Sequence, residues 1–200
     1  GTPMPRISYV EPATLDGDDY REVFRVAATR GTPRPESQAI RAHVPQLLTT
    51  FFATWEAATA TGHLESELKE LCRLYVSRTV ECDYCGSQRS EAFGEGGLAE
   101  DDLDDIIGFA TSDRFDERQK AALAYTEAIT WNPDTADDEL WGRLHQHFTE
   151  PQIVELGYFV ALTSGQQRWI RTMGLNHGEV LGETLAGVVT PSAPAQTARP

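Results

Sequence analysis

Leu68-Lys69-Glu70-Leu71-Cys72-Arg73-Leu74-Tyr75-Val76-Ser77-Arg78 and, after Thr79-Val80, Glu81-Cys82-Asp83-Tyr84-Cys85 decide the reading of this chain. In the first run Leu68, Leu71, Cys72, Tyr75, Val76 and Thr79 recur at three- and four-residue steps, the apolar face of a helix from Leu64 to Val80. The second run sets two cysteines with two residues between them where a new helix is expected to begin. A helix N-terminus offers unsatisfied N–H groups and positive partial charge, which favour a thiolate. A two-residue gap there lets the two sulfurs meet, so that one thiolate attacks a peroxide or disulfide and the other resolves the product.

Helical periodicity continues on both sides. Tyr20, Val23, Phe24 and Ala27 mark one helix, stopped by Gly31-Thr32-Pro33-Arg34-Pro35. Leu47, Leu48, Phe51, Phe52, Trp55 and Ala58 mark the next, with Pro45 suited to its first turn. The cysteine helix is expected to run from Cys82 to the glycines at 94–97, followed by a short helix carrying Leu103, Ile106, Ile107 and Phe109. Asp116 caps a helix that Asn132-Pro133 stops; Asp137 to Phe148 forms another, and Thr149-Glu150-Pro151 opens the last, which runs toward Met173. No strand alternation of period two is visible, so the prediction is an all-α protein of about seven to eight helices. Residues 1–17 read as an extended arm, 18–185 as a single helical domain, and 186–200, rich in Ala, Pro, Thr and Ser, as a flexible tail.

The 200 residues suffice for one domain with a real core, and the formal net charge of -14 argues against nucleic acid or an anionic membrane surface as partner. No secretory signal or membrane-spanning run is apparent, which predicts a cytoplasmic protein with reduced thiols. Three cysteines are too few for a disulfide scaffold. No histidine has the spacing that would complete a zinc site with Cys82 and Cys85, so no metal is expected. Cys72, inside an apolar stripe, reads as a core residue.

Glu70, Cys82 and Cys85, with their flanking helices, resemble the alkylhydroperoxidase D and carboxymuconolactone decarboxylase superfamily. The likeness extends over about residues 40–175, including Pro45-Gln46-Leu47-Leu48, the run from Asp116 to Tyr125, and the run from Glu150 to Leu156. The redox branch of that family carries a glutamate, eleven residues, a Cys-x-x-Cys pair, then three residues and a histidine. The resemblance implies an all-helical fold, a homo-oligomer (trimer, hexamer or dimer), and a peroxidase that cycles Cys82 and Cys85 between dithiol and disulfide. It implies no metal, haem or flavin cofactor, a hydroperoxide substrate and an external thiol electron donor. Glu70 would belong to the proton relay from Cys85.

The chain departs from the family at the histidine position, which is Arg89, while Tyr84 stands where some members have a second histidine. Arginine stays protonated and cannot accept a proton. Arg89, four residues after Cys85 on the expected cysteine helix, shares its face and is expected either to steady a thiolate or to bind a substrate carboxylate. Arg89 and Tyr84 are therefore the expected substrate-binding residues. Two other functions remain open: a decarboxylase, lyase or isomerase acting on a small anionic metabolite, and a non-catalytic helical assembly or redox-sensing protein.

Overall fold

The computed structural model describes residues 5–29, 34–59, 62–95 and 97–180. Among them nine α-helices form: α1 (Asp18–Thr29), α2 (Pro35–Arg41), α3 (Pro45–Thr59), α4 (Ser66–Thr79), α5 (Asp83–Gly86), α6 (Ala92–Glu95), α7 (Glu117–Thr130), α8 (Asp138–His147) and α9 (Glu150–Met173). The all-α expectation holds, with no strand among the described residues. The expected tail, 186–200, lies outside them, as do residues 181–185 and the Gly31-Thr32-Pro33 part of the predicted stop.

The long helices start where their caps dictate. Asp116 accepts from the Gln119 N–H (2.7 Å) while the Gln119 amide oxygen accepts from the Asp116 N–H (3.0 Å), a reciprocal box that opens α7. Asp137 accepts from the Leu140 N–H (3.0 Å) to open α8, and Gln152 accepts from the Thr149 N–H (2.9 Å) to open α9. Gly174, at φ +67°, ends α9 in the left-handed conformation.

Helices α4, α7 and α9 pack against one another, and Leu71, Leu74, Leu123, Leu156 and Phe159 are buried at their junction. Cys72 belongs to this core; burial pushes its thiol up to about 12, so it is inert at neutral pH. A buried ion pair of Lys69 and Glu155 joins α4 to α9. Lys69 Nζ also donates to Ala58 O (2.9 Å), and Glu155 accepts from the His63 N–H (2.6 Å), which ties down the corner between α3 and α4. A Cβ on Gly62 would lie 1.9 Å from a Glu155 oxygen, so this corner needs glycine.

Two elements differ from the sequence reading. In the sequence reading a stop ends at Pro35 and no helix is assigned to residues 36–44; the structure begins α2 at Pro35, the position proline favours. The expected cysteine helix is broken into the single turns α5 and α6. Arg73 causes the break. Its guanidinium takes Cys85 O (2.7 Å) and Gln88 O (2.6 Å), the carbonyls that a continuous helix would offer to the N–H groups of Arg89 and Ala92. The N-terminal segment lies along the body, with Arg6 N–H donating to Met173 O (3.0 Å) and Val10 N–H to Ala39 O (3.2 Å). No helix among the described residues is long and apolar enough to cross a membrane.

Candidate active site

The site forms where α4 turns into α5. The chain leaves α4 through Glu81, which has φ +54°, and the Cys82 N–H donates back to Ser77 O (3.0 Å). Arg171 of α9 braces this corner by donating to Val80 O (2.8 Å) and to the Glu81 carboxylate (2.7 Å). Cys82 then occupies the cap position of α5, and Cys85 lies inside it with no exposed surface.

The structure brings Cys82, Cys85 and Glu70 together. Cys82 and Cys85 are free, buried thiols one helical turn apart, and their ionisations are linked. Burial opposes ionisation of Cys85, but the S–H of Cys82 and the charges of Arg34, Arg73 and Arg41 outweigh it, and the Cys85 thiol is shifted downward. Cys82 shifts upward, first because its hydrogen bond to Cys85 holds the proton and then through burial. Of the pair, Cys85 is therefore the more readily ionised and Cys82 holds its proton more tightly.

Glu70 reaches the pair through Arg73. Its carboxylate accepts two parallel hydrogen bonds from Arg73 (both 2.7 Å) and one from the Ser90 N–H (2.9 Å). Burial alone would raise its pKa, but the Arg73 charge and these hydrogen bonds hold it below the usual carboxylate range. Such a carboxylate is a poor proton acceptor and a good anchor: Glu70 fixes Arg73, and Arg73 fixes the carbonyls of the cysteine turn.

Arg89 takes another direction. Its guanidinium pairs with Glu100 (2.7 Å), donates to Gly86 O (2.5 Å) and Gln88 O (3.0 Å), and lies 5.4 Å from the centre of the Phe93 ring. The shared face expected for Cys85 and Arg89 required a continuous helix, and the chain leaves helical geometry after Gly86. Tyr84 is buried beside the cysteines, with its hydroxyl donating to Glu36 (2.8 Å) and its ring stacked on His177 at 4.0 Å. Because a carbonyl only accepts, His177 Nε2–H donates to Tyr84 O (2.7 Å). Glu36 also accepts from the backbone N–H groups of Gly178 (2.8 Å), Glu179 (3.1 Å) and Val180 (3.3 Å), so the segment after α9 is pinned beside the motif.

Sequence reasoning missed Arg34, Arg41, Arg73, Glu36 and His177. Only Arg73 left a signal, standing three residues after Glu70 on one helical face. Near the end of α9, Gln166 and Gln167 line a cavity with Arg34 and Arg41, while the neighbouring Arg168 does not. Arg168 instead bonds Ser164 Oγ (2.6 Å) and Thr130 O (2.5 Å).

Residues 45–128 match the carboxymuconolactone decarboxylase family. The uncharacterised Escherichia coli protein YnjA is 26% identical over 128 residues, 64% of this chain and 70% of YnjA. An uncharacterised peroxidase-related protein from Ralstonia eutropha, described as an alkylhydroperoxidase AhpD core, superposes with a TM-score of 0.72 over 96% of this chain and 100% of that one, at 20% identity. The debrominase Bmp8, in a cysteine-to-alanine variant bound to 2,3,4-tribromopyrrole, superposes with a TM-score of 0.69 over 86% and 93% of the two chains, at 23% identity. Residues 45–128 are thus similar to the carboxymuconolactone decarboxylase family, and the chain as a whole shares the all-helical fold of alkylhydroperoxidase D-like structures.

Proposed function

We propose that the protein is a thiol-dependent oxidoreductase of the peroxidase type, with Cys85 as nucleophile and Cys82 as resolving thiol. One observation carries this reading: two free, buried thiols lie one helical turn apart, and the charges of Arg34, Arg73 and Arg41 favour ionisation of the inner one. The Cys85 thiolate attacks the terminal oxygen of a hydroperoxide, the O–O bond breaks, and the departing alkoxide takes a proton to leave as an alcohol. Cys85 is then a sulfenic acid. The Cys82 sulfur attacks it, water leaves with the Cys82 proton, and a disulfide remains. An external dithiol supplies the two electrons and two protons that restore both thiols. Arg34 and Arg41 stabilise the negative charge that the O–O cleavage develops. Glu70 acts as a positioning group through Arg73, while the departing alkoxide draws its proton from water.

A second reading, a non-redox reaction on a small anionic metabolite, is favoured by a cavity lined by Arg34 and Arg41. Under it Glu70 would carry the proton, which its Arg73 grip opposes. Hydroperoxide consumption with a dithiol reductant separates the two. The thiol reading predicts turnover in the wild type and loss of at least about a hundredfold in Cys85→Ser; turnover that survives in Cys85→Ser contradicts it.

A further inference from the structure

Two cavities meet at Arg41. The outer cleft, about 410 Å³, is bordered by Ile40, Val44, Leu47, Leu162 and Trp169 and opens to solvent; Val44, Leu47 and Trp169 are exposed there. The inner cavity, about 20 Å³, runs on toward Arg34. Arg41, Phe51 and Gln166 line both. The outer cleft has a volume typical of small-molecule sites and, at its inner end, one buried cation.

Arg41 is built to receive an anion. Its guanidinium lies 3.6 Å from the centre of the Phe51 ring and 5.4 Å from that of Trp169. Its two side-chain hydrogen bonds go to neutral groups, Ser37 O (3.2 Å) and Gln166 Oε1 (2.7 Å). Neither cavity lining contains a carboxylate. A second guanidinium, Arg34, faces the inner cavity with its Nε enclosed and unpaired among the described residues, as are Thr163 Oγ1 and the amide oxygens of Gln38 and Gln167. Buried polar groups normally find partners, so this cluster marks a place where something polar binds. Burial, and the charge of Arg34 beside it, push Arg41 down to about 9.

The neighbouring anions leave positive charge over. Glu70 is engaged by Arg73, and Glu36 by Tyr84 and three backbone N–H groups. Cys85 lies within the influence of both Arg34 and Arg41 and, when ionised, offsets only one of their two charges. A charge deficit at the inner end of an apolar cleft fits an amphipathic anion. We infer that this cleft binds a monocarboxylate with an apolar body, its carboxylate on Arg41 and its body along Val44, Leu47 and Trp169. As the substrate pocket of Cys85 it rests on the thiol reading; as a binding site it does not.

The test measures binding to the Cys85→Ser protein, so that it is independent of turnover. Decanoate, decanol and acetate are titrated by calorimetry and by the fluorescence of Trp169. Decanoate should bind about tenfold or more tightly than decanol, and acetate weakly. Arg41→Gln should weaken decanoate about tenfold, and Leu47→Glu, at the exposed lip, should do the same if Arg41→Gln fails to fold. Equal binding of decanoate and decanol, or no binding, would overturn the inference. So would concentration-dependent self-association that Leu47→Glu abolishes and decanoate leaves unaffected, because the cleft would then be covered by a second copy of the chain.

Discussion

Arg73 donates to the carbonyl oxygen of Cys85 at 2.7 Å while the same guanidinium holds both oxygens of Glu70. The glutamate at the family spacing thus acts on the cysteine turn through an arginine. Glu70→Gln would leave Arg73 buried beside a neutral amide. Breaking one side of a buried pair costs about 3–5 kcal/mol, so the denaturation midpoint should fall by a corresponding amount. The same substitution removes a negative charge from the neighbourhood of Cys85, so Cys85 should ionise no less readily. If thiolate formation collapsed while the fold stayed intact, Glu70 would be a proton acceptor after all.

Thiolate absorbance against pH should show the ionisation of Cys85 separated from those of Cys72 and Cys82. Cys85 should titrate below the ordinary thiol value of about 8.5 and Cys82 above it. Cys82→Ala removes the S–H donor and should move the Cys85 titration upward. The sign for stability follows from proton binding. Between the Cys85 value in the folded protein and the ordinary value, the unfolded chain binds more protons, so the contribution of Cys85 grows as pH rises through that window and is lost as pH falls through it. Cys82 acts the other way: its contribution is present below the ordinary thiol value and is lost as pH rises through its own raised value.

Arg89→Ala should weaken the fold without moving the Cys85 titration. The substitution removes hydrogen bonds to Gly86 O and Gln88 O along with the Glu100 pair, which is half-exposed on the Glu100 side. A loss of about 1–3 kcal/mol is expected. A substantial rise in the Cys85 value would show that Arg89 serves the thiol directly.

Glu81 sits at φ +54° just before Cys82, where a Cβ is strained. Both Glu81→Gly and Glu81→Ala lose the Arg171 ion pair, but only glycine relieves the backbone. Thermal melts should place the glycine variant about 1 kcal/mol above the alanine variant. Equal melting would mean that the corner relaxes out of the left-handed region in solution.

Much of this architecture could be read from the sequence because it is encoded locally. Asp116 with Gln119 and Thr149 with Gln152 announce their helices within four residues, and the apolar stripe from Leu68 to Thr79 announces α4. The spacing from Glu70 to Cys82 and Cys85 marked a candidate site through a family resemblance, not through local periodicity. What could not be read depends on residues distant in the chain. Arg34 and Arg41 reach the thiol from α2, and Gln167 lines their cavity from α9. His177 arrives from the segment after α9. The break in the cysteine helix is likewise tertiary, since its cause is a side chain from α4 that occupies the carbonyls of α5.

The central claim is that Cys82 and Cys85 form one redox pair, and intact-mass analysis after a stoichiometric pulse of hydroperoxide tests it most directly. The account predicts a loss of two hydrogens mapped by peptide analysis to a Cys82–Cys85 disulfide, reversed by a dithiol, with Cys72 unmodified. Cys82→Ser should trap the sulfenic acid on Cys85. Thiols that stay reduced under the pulse, or oxidation that falls first on Cys82 when Cys85 is intact, would contradict it.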